Sequence, residues 1–232
     1  MIRLRAAARA ALILLGAAIA LFALLLLYLW LSGRVWYPRQ RSRVAELETE
    51  SVRPANEDAI SVTPLDDALP LSSLRMIASH NSYHLEPDPV RMLLIDLVEP
   101  GESATLRYSH QPLWHQLENG VRSFELDIRA RRDRFTITHV PLVDNRGPHP
   151  DFELALREIV LWSERRPGHV PVVVLLELKS DYMFLDPGLV EWDADALERL
   201  DGVVRATVPA ERLLTPAMVR READSLLASV SA

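Results

Sequence analysis

Apolar residues are distributed in three different ways along this chain of 232 residues. Residues 10–31 carry no charge at all, which is unusual outside a membrane span. Residues from about 44 to 73 are polar and contain several prolines, without a sustained apolar period. From Leu74 onward, short apolar runs alternate with longer amphipathic ones. The pattern predicts a membrane-spanning helix, a linker and a folded α/β domain.

The folded part contains four runs that predict strands and three that predict helices. The strand-like runs are LRMIASH, VRSFELDIRA, RFTITHV and VPVVVLLELK. The helix-like runs are PVRMLLIDLV, PLWHQLENG and DFELALREIVLWSERRPG. Strands that alternate with helices indicate βα units and a parallel sheet. The run VVVLL is apolar on both faces, so we expect its strand, and the carboxylate of Glu177 at its end, to be buried.

The apolar run at the amino terminus is long enough to cross a bilayer. At about 1.5 Å per residue, residues 10–31 span a hydrocarbon core of roughly 30 Å. Aromatic residues follow where an interfacial belt would lie: Tyr28, Trp30, Trp36 and Tyr37. A cleaved signal peptide is the alternative, but bulky residues stand where cleavage requires small ones. We therefore expect an uncleaved single-pass anchor.

This interpretation divides the chain into four regions. Residues 1–9 form a basic leader, 10–31 the transmembrane anchor, 32–73 a linker, and 74–232 the folded domain. Arginines flank the anchor on both sides, so positive charge alone does not decide the topology. A short basic leader before a single span favours export of the long part that follows. We expect that part on the extracytoplasmic side.

Charge and cysteine content limit the possible chemistry. Residues 1–43 contain seven basic residues and no acidic one, which leaves the remainder with a formal charge of −13. Such a balance argues against a nucleic-acid partner. The absence of cysteine excludes disulfides and thiolate ligands. A metal site must therefore use oxygen or imidazole ligands, and an anionic substrate would need a cation.

Polar side chains follow or end each predicted strand. His80 and Asn81 follow the first, and strict alternation in FELDIR puts Glu125 and Asp127 on one face of the second. His139 ends the third, and Glu177 with Lys179, the chain's only lysine, ends the fourth. Oxygen ligands suited to Ca²⁺ come from Asn81, Glu125, Asp127 and Glu177. His80 and His139 provide two imidazoles that titrate near neutral pH, which suits acid and base catalysis at phosphorus.

Each of these strand ends also has a purely structural interpretation. His80 and Asn81 could cap a turn, and Glu125 with Asp127 could lie on an exposed edge strand. Glu177 and Lys179 could form a simple ion pair. The sequence alone leaves these alternatives open.

In combination, the runs IASHNSYH, QLENGVRSFELDIR, THVP and VVVLLELK resemble the calcium-dependent phosphoinositide phospholipase C group of the PI-PLC-like phosphodiesterases. The resemblance covers about residues 74–220 and implies a TIM-barrel fold acting on a membrane phospholipid. It implies cleavage to diacylglycerol and a cyclic inositol phosphate, with the inositol 2-hydroxyl as nucleophile. The implied roles are catalysis for His80 and His139, calcium ligation for Asn81, Glu125, Asp127 and Glu177, and a phosphate contact for Lys179.

The resemblance has one departure and leaves three alternatives. A TIM barrel has eight βα units and typically about 250 residues, so we expect residues 74–232 to contain only the first part of a barrel. A glycerophosphodiester phosphodiesterase shares the barrel, but HRG would stand where this chain has His80, Asn81 and Ser82. A zinc hydrolase using His80 and His84 would need a helix at that spacing. An inactive, membrane-anchored binding protein is the third alternative, and the sequence gives no oligomeric state.

Overall fold

The computed structural model describes residues 2–49 and 73–220, together with residues 222, 224, 225 and 227. Its helices are α1 Ile2–Arg34, α2 Trp36–Thr49, α3 Pro89–Val98, α4 Leu113–Glu118, α5 Phe152–Arg165, α6 Ala194–Thr207 and α7 Pro216–Arg220. Its strands are β1 Ile77–Ser79, β2 Val121–Ala130, β3 Phe135–Ile137 and β4 Val173–Leu178. All four strands and all three helices predicted for residues 74–179 are present.

The amino-terminal helix α1 has 33 residues. Within the described part of the chain, it supplies the one helical segment long and apolar enough to cross a membrane, a test that a signal sequence near the amino terminus also passes. Its last turns pack against the folded part, where Leu29 is buried. The apolar pattern thus gives the predicted helix, and the side of a membrane on which the domain lies is not determined by it.

The structure corrects part of the predicted linker. Residues Trp36–Thr49 form helix α2 rather than an irregular segment, while residues 50–72 lie outside the described residues. Val44 and Leu47 are buried against Leu161 of α5. Gln40, also buried, donates to the backbone oxygen of Asp151 and accepts from its N–H, each at 2.9 Å. The helix forms because the domain surface satisfies its buried face.

Strand β2 is the centre of a mixed four-stranded sheet. It pairs in parallel with β1 and β4, as βα units require, but antiparallel with β3. The predicted parallel sheet is therefore present in part, with β3 as an antiparallel addition. Only four residues connect β2 to β3, and a parallel connection needs a dozen or more. The chain turns back on itself and carries His139 toward the middle of β2.

One face of the sheet is covered by helices, and the other is buried at Asp127 and partly exposed at Glu125. Phe124, Leu126 and Ile128 of β2 pack into a core with α4, α5 and α6. The amphipathic α5 begins after Asp151, whose side chain caps it by accepting from the N–H of Leu154. The alternate residues of β2, including Glu125 and Asp127, therefore project from the opposite face.

The structure also corrects the predicted burial of β4. Leu175 is 59% exposed and the side chain of Glu177 is 48% exposed. Among the described strands, β4 pairs with β2 alone. Its Val174 and Leu176 pack on the core, whereas its other face is uncovered. The apolar run predicts a strand that is covered on both faces, but no described element covers the second face of β4.

Candidate active site

The turn after β1 is held against β2 by backbone and hydroxyl groups. Asn81 has a φ of 46°, a left-handed conformation that asparagine tolerates better than most residues. The N–H of Ser82 donates to the backbone oxygen of Glu125 at 3.0 Å, and the N–H of Glu125 donates to Ser82 Oγ at 2.9 Å. These reciprocal bonds bring His80 Nε2 to 3.3 Å from Glu125 Oε2.

Asn81 is buried, and its polar atoms are engaged within the site. Its backbone N–H donates to Glu125 Oε2 at 3.2 Å. Its side-chain Nδ2 donates to the Tyr108 hydroxyl, and its Oδ1 accepts from the Tyr83 hydroxyl. Glu125 therefore contacts both His80 and Asn81, two other residues that the sequence assigned to the site.

The neighbouring His84 belongs to a different environment from His80. His84 is buried, with Nε2 3.1 Å from the backbone oxygen of Leu106, whereas the side chain of His80 is 76% exposed. His84 Nδ1 lies 3.6 Å from Asp144 Oδ2, while His80 contacts Glu125. The two imidazoles face different carboxylates, so the zinc alternative through His80 and His84 has no support in the geometry.

A second group forms where β2 and β4 pair. Asp127 and Glu177 are register partners on the two strands. Lys179 Nζ lies 2.8 Å from Glu177 Oε1 and 3.4 Å from Asp127 Oδ2. The hydrogen bond and charge of Lys179 hold the pKa of Glu177 below its usual value. The ammonium therefore bridges two of the carboxylates that the sequence proposed for calcium.

Asp127 is the most unusual carboxylate in the site. It is fully buried, and neither carboxylate oxygen has a hydrogen-bond partner among the described residues. Burial raises its pKa, with Glu177 adding to the effect and Lys179 opposing it. A buried carboxylate without hydrogen bonds is costly unless a cation compensates it. Lys179 supplies part of that compensation from 3.4 Å, and the two oxygens without hydrogen bonds also suit a metal ion.

The side chains are not arranged as a finished metal centre. Across residues 2–49 and 73–220, no group of three or more histidine, aspartate or glutamate side chains is positioned to hold a metal ion. The asparagine oxygen of Asn81 and the buried Asp127 nevertheless have the hard-oxygen chemistry of a calcium site. The donor set fits the ion in composition, and Lys179 lies between two of its members.

His139 is delivered to the site by the β2–β3 hairpin. The N–H of Thr138 donates to the backbone oxygen of Asp127 at 3.1 Å, which brings the next residue beside β2. His139 Nδ1 lies 3.0 Å from Oδ2 of the buried Asp144. Burial alone would lower the pKa of His139, but the hydrogen bond and charge of Asp144, together with Asp127, raise it above its ordinary value.

Arg129 ties the loops around the site together. Its buried guanidinium donates to the backbone oxygens of Thr138 and His139 and to Asp181 after β4. Arg129 follows Asp127 by two positions in β2, so the alternation of FELDIR puts both on one face of the strand. Its contacts make it a positioning residue for His139.

The sequence missed three residues that shape the site. Asp144 orients His139, while Tyr83 and Tyr108 hold Asn81. Asp144 follows His139 by five positions in a loop without strand or helix periodicity. Its closeness to His139 in the sequence was therefore the only signal that it belongs to the site. Tyr83 lies inside the run IASHNSYH. The role of its hydroxyl, which donates to Asn81 Oδ1, follows only from the structure.

The family model for Ca²⁺-dependent phosphoinositide phospholipase C matches residues 69–135 and 129–232, which is well over half of the chain. The chain belongs to this family. Membership confirms the resemblance seen in the sequence. A search of curated proteins found no match.

Solved structures of the family are also similar to the chain. A calcium-dependent phosphoinositol-specific phospholipase C from a Gram-negative bacterium, Pseudomonas sp., matches in its myoinositol complex with 18% identity and a TM-score of 0.43, over 65% of this chain and 45% of that one. An apo crystal form of that protein matches with 18% identity and a TM-score of 0.39, over 50% and 42% of the two chains. The chain thus spans less than half the length of these phospholipases.

Proposed function

We propose that the protein is a membrane-anchored, calcium-dependent phosphodiesterase that cleaves phosphatidylinositol-type lipids to diacylglycerol and a cyclic inositol phosphate. The pairing of His139 with the buried Asp144, beside the buried carboxylate of Asp127, is the observation that carries the proposal. Family membership supports the reaction class. We assign residues 10–31 of α1 as a single-pass anchor, residues 1–9 as its leader, and residues 74–232 as the extracytoplasmic catalytic part.

His139 suits the role of general acid. Because its Nδ1 faces Asp144, that nitrogen keeps its proton and Nε2 remains for the substrate. The raised pKa favours the imidazolium form near neutral pH, and this form can protonate a leaving oxygen. In the proposed reaction that oxygen belongs to the departing diacylglycerol.

His80 suits the role of general base. Its imidazole is largely exposed, and Glu125 lies 3.3 Å from Nε2. His80 would take the proton of the inositol 2-hydroxyl as that oxygen attacks phosphorus and forms the cyclic phosphate.

Calcium would be held by Asn81, Glu125, Asp127 and Glu177, and Lys179 would contact the phosphate. When bound, the ion would supply positive charge against the phosphate oxygens. The buried carboxylate of Asp127, which lacks hydrogen bonds within the described chain, supports this assignment. Lys179 already neutralises part of the same charge through its contacts with Asp127 and Glu177.

A membrane-anchored binding protein without activity is the second candidate. Two observations favour it: Lys179 lies between two proposed calcium ligands, and no described element covers the exposed face of β4. Binding of phosphoinositide vesicles without calcium-dependent turnover would support this candidate against the enzyme.

The test uses the full chain in vesicles containing phosphatidylinositol, with calcium present. His80→Ala and His139→Ala should each lower turnover by about 10²- to 10⁴-fold, the usual worth of a positioned proton-transfer group. His115→Ala is the matched control, since His115 is exposed on α4. Loss of His139 should matter little for a substrate with a nitrophenolate leaving group. Parental turnover in either site variant would contradict the mechanism.

A further inference from the structure

A cavity of about 520 Å³ lies between α1 and the catalytic domain and is lined in part by His139. Phe22, Leu25 and Leu29 of α1 form one wall. Leu94 of α3 and Val143 of the loop after β3 lie on the domain side. The volume falls within the roughly 300–1,000 Å³ typical of ligand pockets. The active-site imidazole and the candidate membrane helix therefore line the same space.

The helix wall is fixed to the domain by a buried arginine. Arg91 donates to the backbone oxygen of Leu29 at 3.1 Å and to Ser32 Oγ at 2.8 Å. Its partner Asp88 also accepts from the Tyr28 hydroxyl at 2.9 Å. Arg91 and Asp88 of the domain therefore bind polar atoms in the last turns of α1. These bonds fix the helix wall of the cavity against the domain.

Large apolar side chains also line the cavity with most of their surface exposed. Phe184 is 80% exposed and Val98 is 74% exposed, and both line the cavity. Leu97 next to Val98 is exposed as well. Apolar side chains grouped in this way mark a surface that contacts a membrane or another apolar ligand.

We propose that this cavity holds an acyl chain of the membrane lipid whose phosphate lies at His139. The inference rests on the proposed function and specifies its substrate as a lipid with long apolar chains. Hydrocarbon is the occupant because residues 10–21, which continue the α1 wall toward the amino terminus, carry no charge and would lie in the bilayer core. From Phe22 to Leu29 this wall is about 10 Å long at 1.5 Å per residue, and it leads from the bilayer to the imidazole.

Photolabelling tests the occupant directly. The full chain is placed in nanodiscs containing phosphatidylinositol with a diazirine on its acyl chain, irradiated, and mapped by mass spectrometry. We expect label on Leu94 and Val143 as well as on α1. Leu94→Trp, which fills the cavity, should reduce label on Val143 several-fold. Leu93→Trp is the matched control, because Leu93 lies on the same helix, is 61% exposed, and does not line the cavity.

Two results would overturn the inference: label confined to α1, or equal labelling of Val143 in the two variants. Ile95→Trp, at a second lining position, guards against misfolding of the first variant. Kinetics then separate this inference from the proposed function. Leu94→Trp should raise KM for dioleoyl phosphatidylinositol and leave turnover of chain-free glycerophosphoinositol unchanged. Equal losses on both substrates would reject the cavity as an acyl site, whereas a parent inactive on both would reject the enzyme and leave photolabelling to decide the cavity.

Discussion

Acidification should destabilise the domain through His149, a buried histidine outside the proposed mechanism. The N–H of Leu113 donates to His149 Nε2 at 2.9 Å, so Nε2 is unprotonated and the ring proton is on Nδ1. Nδ1 lies 3.1 Å from Arg43 Nη2 and 3.5 Å from Glu158 Oε2. The charge of Arg43 also opposes a second proton on the ring. A second proton on Nε2 would point at the Leu113 N–H. Burial lowers the pKa of His149 to about 4, although the charge of Glu158 opposes the shift.

The size of the effect follows from the two pKa values. Between the ordinary value of 6.5 and about 4, the unfolded chain binds this proton and the folded chain does not. Stability therefore falls as the pH falls through that interval and levels off below it. A pKa difference of about 2.5, at about 1.4 kcal/mol per pH unit, amounts to about 3 kcal/mol. That loss is large for a domain stabilised by roughly 5–15 kcal/mol.

Urea unfolding of the full chain in detergent, followed by tryptophan fluorescence, measures the effect. The free energy of unfolding is compared at about pH 7 and about pH 4 for the parent and His149→Gln. Glutamine can accept the Leu113 N–H but has no proton that titrates in this range. The parent should lose about 3 kcal/mol more than the variant, and the exposed His115→Gln should behave like the parent. Equal pH dependence in the parent and His149→Gln would refute the reasoning.

Two further predictions concern the metal and the anchor. Calcium should raise the melting temperature of the full chain by mass action, and Glu125→Gln and Asp127→Asn should abolish the shift. An undiminished calcium shift in both variants would contradict the assigned ligands. Without calcium, Asp127→Asn should have a higher melting temperature than the parent. Burial raises the pKa of Asp127, so its ionised form destabilises the folded protein near neutral pH. The expressed protein should remain with membranes through salt and carbonate washes, and recovery in solution with an amino terminus near Ser42 would contradict an uncleaved anchor.

Local sequence pattern predicted the elements more accurately than their pairing. The bounds of β2 coincide with the run VRSFELDIRA. Partly exposed and buried positions alternate from Val121 to Leu126, and every later position of the strand is buried. Helix α5 begins at Phe152, directly after its capping Asp151. The antiparallel pairing of β3 was predictable from its four-residue connection to β2, a signal that the alternation of strands and helices obscured.

Tertiary contacts decided what local pattern could not. Helix α2 contains several charges and a proline, so its sequence resembles a linker until Gln40 and Val44 meet the domain surface. The burial of Glu177 depends on what covers β4, which the residues of β4 do not encode. Likewise, Asp144 becomes part of the site only because its loop returns to His139.

The environments of His139 and His149 differ in a way that supports a role for His139 in proton transfer. Both lie near a buried carboxylate, yet the pKa of His139 is raised and that of His149 is lowered. His139 has a carboxylate oxygen 3.0 Å from Nδ1 and keeps part of its surface exposed, so it can gain and lose a proton at Nε2 without breaking a protein contact. His149 is fully enclosed, and a backbone N–H occupies its Nε2. Proton transfer to a substrate requires the first environment and is blocked by the second.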